Sequence, residues 1–303
     1  MKHLLTMEQL SKAEIMDIIE LGIEYKKELK AGIPHKKNLN GKTLGMIFEK
    51  SSSRTRVSFE VGMYQLGGYA LFLSSRDTQL GRGESIKDSA RVFGRYLNGI
   101  MIRTFKQSDV EELAEYSGIS IINGLTDYCH PCQVLADLMT IYEHKGSFDG
   151  LKVCYIGDGN NMANSIIVGA LKVGMSVSIA TAKGYEPDKH ILEFAKQYGD
   201  KFELTNDIKK AAQNADVMFT DVWSSMGMES EIEARKKAFD GFCINDDLMS
   251  VTNSGCMVQH CLPAHKGEEI SEEVFESHAD EIFDEAENRL HAQKAVMYLT
   301  MKD

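Results

Sequence analysis

The stretch TLGMIFEKSSSRTRVSFE, Thr43 to Glu60, passes from an apolar run through a cluster of hydroxyls and guanidinium groups into a helical pattern. Thr43–Phe48 has the length and apolar character of a buried strand, and a helix is expected from about Val57. A strand feeding a helix through a short polar turn is half of a βαβ unit. The same pattern recurs outward along the chain. GIMIRTF (Gly99–Phe105) and ISIING (Ile119–Gly124) read as further strands. LKVCYIG (Leu151–Gly157), MSVSIAT (Met175–Thr181), ADVMFTD (Ala215–Asp221) and CMVQHCL (Cys256–Leu262) follow in the second half. Helical patterns such as VEELAEYSG, QVLADLMTIYEHKG and NSIIVGALKVG lie between them. This alternation predicts an α/β fold of two Rossmann-like domains with parallel sheets and crossover helices.

A length of 303 residues suits two domains. The boundary is expected in YEHKGSFDG, Tyr142–Gly150, where a helix ends in glycine and a polar turn precedes a fresh strand. That gives domains at residues 1–145 and 146–285. The net charge of -11 argues against nucleic acid as a partner. The N-terminal segment MKHLLTMEQLSKAEIMDIIE is charged throughout, so neither a signal peptide nor a membrane anchor is expected. Six cysteines without regular spacing read as reduced thiols of a cytoplasmic enzyme. Cys129 and Cys132 form a C-x-x-C, but no second close pair accompanies them to make a zinc site.

Ligands of open α/β sheets sit beyond the carboxyl ends of the strands, so the residues following each strand carry the chemistry. After Phe48, helix-terminal N–H groups with the hydroxyls of Ser52, Ser53 and Thr55 form an anion cradle, to which Arg54 and Arg56 add charge-assisted bonds. The upstream NGKTLG is not a phosphate-binding P-loop, because Lys36 stands where the first glycine belongs. Arg103 ends an otherwise apolar run, where a charge is paired or functional. His130 and Gln133 share the first turn of a helix opened by Pro131, a donor and an amide suited to a small carbonyl or urea-like group. YIGDGNNMANS has G-x-G at Gly157 and Gly159 but Met162 in place of the third glycine, and no acidic residue ends the next strand, so a nicotinamide cofactor is not expected. Asn160 and Asn161 suit a substrate carboxylate or ammonium. Asp221 follows a strand and suits a substrate ammonium, and His260 and Cys261 close the last strand.

These segments together resemble one family. SSSRTR, HPCQ and HCLP are similar to the S-T-R-T-R, H-P-x-Q and H-C-L-P signatures of the carbamoyltransferases, and the likeness runs over nearly the whole chain. Asp221–Gly227 and His260–Pro263 have the ornithine-type forms of their motifs. The resemblance implies an active site in the cleft between the domains, with carbamoyl phosphate bound by the first and L-ornithine by the second. It implies that a C-terminal helix of about 286–303 packs back onto the first domain. The resemblance assigns the phosphate to Ser52, Ser53, Arg54 and Thr55. Arg103, His130 and Thr55 take the carbonyl oxygen, and Gln133 takes the carbamoyl nitrogen. Cys261 and Leu262 border the reacting centre, and Arg289 adds a phosphate or carbonyl contact. Asn161, Asp221, Ser225 and Met226 take the amino-acid end of ornithine. Gln79 matches a loop position presented to a neighbouring subunit, which implies a homotrimer. Ser53 and Cys132 replace the usual threonines, and Gly83 stands where some relatives carry a lysine. The expected reaction yields L-citrulline and phosphate without cofactor or metal; the alternative acceptor is another amine, such as putrescine.

Overall fold

The computed structural model describes residues 1–74, 83–224 and 229–302. Gln79, Ser225 and Met226 lie outside the described residues. The chain divides into two compact units, Met1–Met139 with Asn288–Asp303, and Thr140–Glu287.

The first unit holds a four-stranded sheet, β1 (Thr43–Phe48), β2 (Tyr69–Ser74), β3 (Gly99–Arg103) and β4 (Ser120–Leu125), in the order β2-β1-β3-β4. All its neighbours pair in parallel. The second holds β5 (Lys152–Ile156), β6 (Ser176–Ala180), β7 (Phe202–Thr205), β8 (Val217–Thr220) and β9 (Met257–His260), ordered β7-β6-β5-β8-β9 and again parallel. The α/β fold with two parallel sheets is as expected. Two strands escape the sequence reading, β2 and β7, and both are edge strands. Neither contains a buried residue, and Tyr69 is 64% exposed, so neither shows the buried run that marks the central strands.

Each sheet has one point where the winding reverses, and doubly wound folds bind ligands there. In the first sheet it lies between β1 and β3, whose last residues Phe48 and Arg103 are register partners. In the second it lies between β5 and β8, where Ile156 faces Thr220. The turn after β1 therefore sits beside Arg103, and the turn after β5 beside Asp221. Ile47, Ile100, Ile102, Val110, Leu113 and Ile121 pack one face of the first sheet, while Cys154, Ile156, Met218, Val258 and Phe275 pack in the second unit. Each large apolar side chain fully buried this way contributes roughly 1.5–3 kcal/mol.

The helix following β1 spans Ser53–Gln65, four residues earlier than expected. Its start is set by Ser52, whose side chain caps the free N–H of Thr55, a device that matters more than the modest helix propensity of Ser and Thr. The last helix, Ala279–Met301, counts with the first unit from Asn288 onward. There Lys294 is fully buried, with Nζ 2.7 Å from His35 Nε2 and 2.9 Å from Gln65 Oε1.

Fully buried His291 on this helix has its pKa pushed down to about 3 by burial and by the nearby charges of Lys294, Lys26 and His35. Its unfolded value is about 6.5, so on acidification the unfolded chain takes the proton first. Stability is thus fully present above pH ~6.5 and falls by about 1.4 kcal/mol per pH unit below it from this group alone. Urea melts at pH 7 and pH 5 should show a loss of roughly 2 kcal/mol that His291→Asn reduces. An unchanged pH dependence in the variant contradicts the assignment.

Candidate active site

Beyond β1, β3 and β4 the first unit collects a hydrogen-bonded set. Ser52 Oγ accepts from the Thr55 N–H at 3.2 Å and donates to Thr55 Oγ1 at 3.1 Å. Arg289 Nη2 also donates to Thr55 Oγ1, at 3.3 Å. With both acceptor positions of that oxygen filled, the Thr55 hydroxyl hydrogen is left to donate. Arg289 Nη1 donates to Gln133 Oε1 at 2.5 Å, and Gln133 Nε2 donates to Asp137 Oδ1 at 2.8 Å. In the amide orientation that satisfies its neighbours, buried Gln293 accepts from Arg289 Nη2 and Nε at 2.9 and 3.2 Å. Thr55, Gln133 and Arg289 are all nearly fully buried.

His130 lies where β4 leads into the helix Pro131–Lys145, and its carbonyl accepts from the Gln133 N–H at 3.1 Å. Burial, then the charges of Arg289 and Arg103, hold its pKa well below the usual histidine value, so its imidazole is neutral. A neutral imidazole keeps one N–H and can donate a hydrogen bond without bringing a net charge to the site. Arg103 itself is buried at the end of β3, where its carbonyl accepts from the Glu49 N–H at 2.9 Å. Ser53 and Arg54 are exposed in the first helical turn. The sequence offers Arg56 beside Arg54 as an anion ligand, but its Nε bonds Glu60 Oε1 at 2.9 Å and its guanidinium covers the Phe72 ring at 3.9 Å. That one-turn spacing to an acid and the stacking partner engage it away from Arg54.

In the second unit Asp221 is the hub. Cys261 Sγ donates to Asp221 Oδ1 at 3.0 Å, the Val222 N–H donates to the same oxygen at 2.8 Å, and Asn160 Nδ2 donates to Oδ2 at 2.9 Å. Asn160 also caps the helix Asn161–Val173, accepting from the N–H groups of Met162 and Ala163 at 2.9 and 3.2 Å. Its amide is therefore engaged on both sides, whereas Asn161 begins the helix and is half-buried. Sequence alone grouped the two asparagines; the helix boundary separates them.

His260 is fully buried. Its Nδ1 accepts from the Leu262 N–H at 2.9 Å, which fixes the tautomer, and its Nε2 donates to Glu269 Oε1 at 2.9 Å. It shapes the Cys261–Leu262 turn from behind. Among the described residues His265, Glu268 and Glu269 also draw together, but Glu269 Oε1 there takes the His265 N–H at 2.6 Å as well as His260.

The turn after β5 uses its glycines for packing. A Cβ on Gly159 would stand 2.3 Å from Pro187 N and 2.4 Å from Tyr185 O, so the chain's own backbone occupies the close approach. Buried Arg235 braces this turn, its Nη1 bonding Asp158 Oδ2 at 2.6 Å and the Trp223 carbonyl at 3.1 Å. Arg235, Asp137, Gln293 and Glu269 were not singled out from sequence. Asp137 lies one turn after Gln133 in the helix that follows a strand-end motif, whereas nothing in the sequence around Arg235 or Gln293 marks them.

The family model described as aspartate/ornithine carbamoyltransferase, carbamoyl-P binding domain, matches residues 2–143. The one described as the Asp/Orn binding domain of the same family matches residues 149–300. The chain is 51% identical over 302 residues to an ornithine carbamoyltransferase of Geobacter metallireducens, covering 99% of each. It is 50% identical to that of Pyrococcus horikoshii over 99% of this chain and 96% of the relative. Among solved structures it is similar to the ornithine carbamoyltransferase from Pyrococcus furiosus, with a TM-score of 0.93 and 49% identity over 99% of this chain and 97% of that one. The anabolic enzyme from Campylobacter jejuni superposes with a TM-score of 0.93 at 46% identity over 99% of both chains.

Proposed function

Because the chain belongs to the aspartate/ornithine carbamoyltransferase family, we propose that it transfers the carbamoyl group of carbamoyl phosphate to the δ-amine of L-ornithine, releasing L-citrulline and phosphate. The observation that carries the choice of acceptor is full-length similarity, at about half identity, to relatives named for ornithine. Putrescine, the alternative acceptor, is not favoured. It has neither the α-ammonium nor the carboxylate for which the second unit's polar groups are suited.

Carbamoyl phosphate is already activated, so the residues need only align it and stabilise charge. In this reading the phosphate rests on the capped turn Ser52, Ser53, Arg54 and Thr55, with Arg289 behind it. The N–H groups at the start of the helix Ser53–Gln65 and the Arg54 fork are what a dianion requires. The carbonyl oxygen takes bonds from Arg103, neutral His130 and the Thr55 hydroxyl. Each preorganised donor of this kind is worth about 3–4 kcal/mol to the transition state. Gln133 takes the carbamoyl nitrogen. Asn161, Asp221, Ser225 and Met226 hold the α-ammonium and carboxylate of ornithine, with Cys261 and Leu262 beside the reacting atoms.

The δ-amine has an ordinary pKa of about 10.4 and must lose its proton before attack. Desolvation around the bound amine favours its neutral form. Its nitrogen then bonds the carbonyl carbon, the oxyanion forms against Arg103, His130 and Thr55, the C–O bond to phosphate breaks as the carbonyl re-forms, and the extra proton on the attacking nitrogen leaves with the phosphate. The Cys261 thiol, whose hydrogen is directed to Asp221, keeps that carboxylate oriented.

The reading extends to a cytoplasmic homotrimer with Gln79 contributed to a neighbour. Six cysteines that form no disulfide support a reducing compartment. No helix among the described residues is long and apolar enough to cross a membrane. Light scattering should give the mass of three chains.

A ureido-product assay across ornithine, putrescine, lysine and acetylated ornithine tests the function. Turnover of ornithine at least ~100-fold above the others is expected. Equal or faster turnover of any other amine overturns the assignment.

A further inference from the structure

We propose that the turn following β9 is a binding site for a divalent transition-metal cation of the zinc class, held by His265, Glu268 and Glu269. All three residues belong to the second unit. The inference does not rest on the carbamoyl-transfer reading.

The local sequence builds the turn. In His265-Lys266-Gly267-Glu268 the Glu268 N–H donates to the His265 carbonyl at 2.9 Å, and Gly267 takes a φ of 89° that few other residues tolerate. Closing the chain this way draws the first and fourth side chains together, with His265 Nδ1 3.8 Å from Glu268 Oε2. The turn is anchored on both sides. The Gly267 N–H donates to the Ile270 carbonyl at 2.8 Å, and the Ile244 N–H donates to the Glu269 carbonyl at 2.9 Å. One ligand atom from each of His265, Glu268 and Glu269 lies within 4.8 Å of the other two.

Glu269 supplies the reason for a cation. Its side chain is fully buried, yet the groups bonded to it bring no net charge. Oε1 accepts from His260 Nε2 at 2.9 Å and from the His265 N–H at 2.6 Å. His260 is a neutral imidazole here, because its Nδ1 already accepts from the Leu262 N–H. Among the described residues no lysine or arginine pairs with Glu269, and its Oε2 is buried without a hydrogen-bond partner. Buried charges are paired or coordinate metals, and a dry carboxylate oxygen left unmet is costly. A cation between Oε2 and the two outer side chains meets that demand.

The donor set selects the ion. One imidazole nitrogen with two carboxylate oxygens suits Zn2+ or Co2+ better than Mg2+ or Ca2+, which favour oxygen ligands throughout. Two ligands of a tetrahedral zinc stand about 3.3 Å apart at bonds of about 2.0 Å. The 3.8 Å between Nδ1 and Oε2 therefore asks only a small inward rotation of two partly exposed side chains. Lys236 Nζ bonds Glu268 through Oε1, at 2.7 Å, and leaves Oε2 to the ion. Water completes the shell on the open side. Through Glu269 the ion braces His260, and with it the turn at Cys261 and Leu262.

The test strips the full-length enzyme with a chelator, desalts it and titrates Co2+ against its visible absorption. We expect one Co2+ per chain with nitrogen and oxygen ligation, and no thiolate-to-cobalt band in the near ultraviolet. Zn2+ should displace it and raise the melting temperature. His265→Ala and Glu268→Gln alter partly exposed side chains, so the metal-free variants should melt within about 2 °C of wild type. Each should weaken Co2+ binding by about 100-fold or more and abolish the zinc-dependent rise in melting temperature. A thiolate band would place the ion on a cysteine instead and overturn the proposal. So would the absence of binding, or affinities in both variants within about twofold of wild type.

Discussion

Arg54→Ala is expected to lower kcat/KM for carbamoyl phosphate by about 10³-fold while the protein still folds. The guanidinium lies on the exposed first turn of the helix Ser53–Gln65, outside the hydrophobic core, so its removal opens no cavity. What is lost is a forked pair of charge-assisted bonds to an anion that the helix terminus alone holds weakly. Arg56, two residues on, supplies the internal comparison. Its engagement with Glu60 and Phe72 predicts that Arg56→Ala changes donor affinity far less. Steady-state kinetics of the two variants with thermal melts distinguish the roles. Wild-type kinetics in Arg54→Ala would remove the phosphate assignment.

Asp221→Asn should have the complementary effect, a fall of roughly 10²–10³-fold in kcat/KM for ornithine, with carbamoyl phosphate affinity by calorimetry unchanged. Three donors converge on this carboxylate, from Asn160, Cys261 and Val222. An asparagine there presents an N–H toward one of them and withdraws the negative charge that a substrate ammonium needs. The damage is confined to the second unit, whereas the donor residues belong to the first. A proportional loss in both substrates would mean that Asp221 supports the fold and not the acceptor.

These two residues also show how much a sequence discloses. Arg54 and Asp221 follow strands whose central, buried runs announce themselves, and the carboxyl-end rule then singles out the next few residues. β2 and β7 contain no buried position and so lack that run, unlike β4 and β9, which also lie at sheet edges but are buried throughout. Local pattern also misplaced the start of the helix at Ser53, because a capping serine acts through one hydrogen bond and leaves no periodicity. Asn160 and Asn161 are indistinguishable in the sequence, yet one closes a helix terminus and grips Asp221 while the other opens the helix. Arg289 is the clearest limit. It lies 234 residues from Thr55 along the chain, and without family resemblance nothing near it signals that it reaches Thr55 and Gln133. Asp137 reads simply as a polar residue within a helix until its hydrogen bond from Gln133 is located.

The most direct measurement is a crystal structure with a bisubstrate mimic that joins a phosphonate to ornithine. The account predicts phosphonate oxygens within hydrogen-bond distance of Ser52, Ser53, Arg54 and Thr55, and the α-ammonium at Asp221. Density for the phosphonate anywhere other than that serine-arginine turn would contradict it.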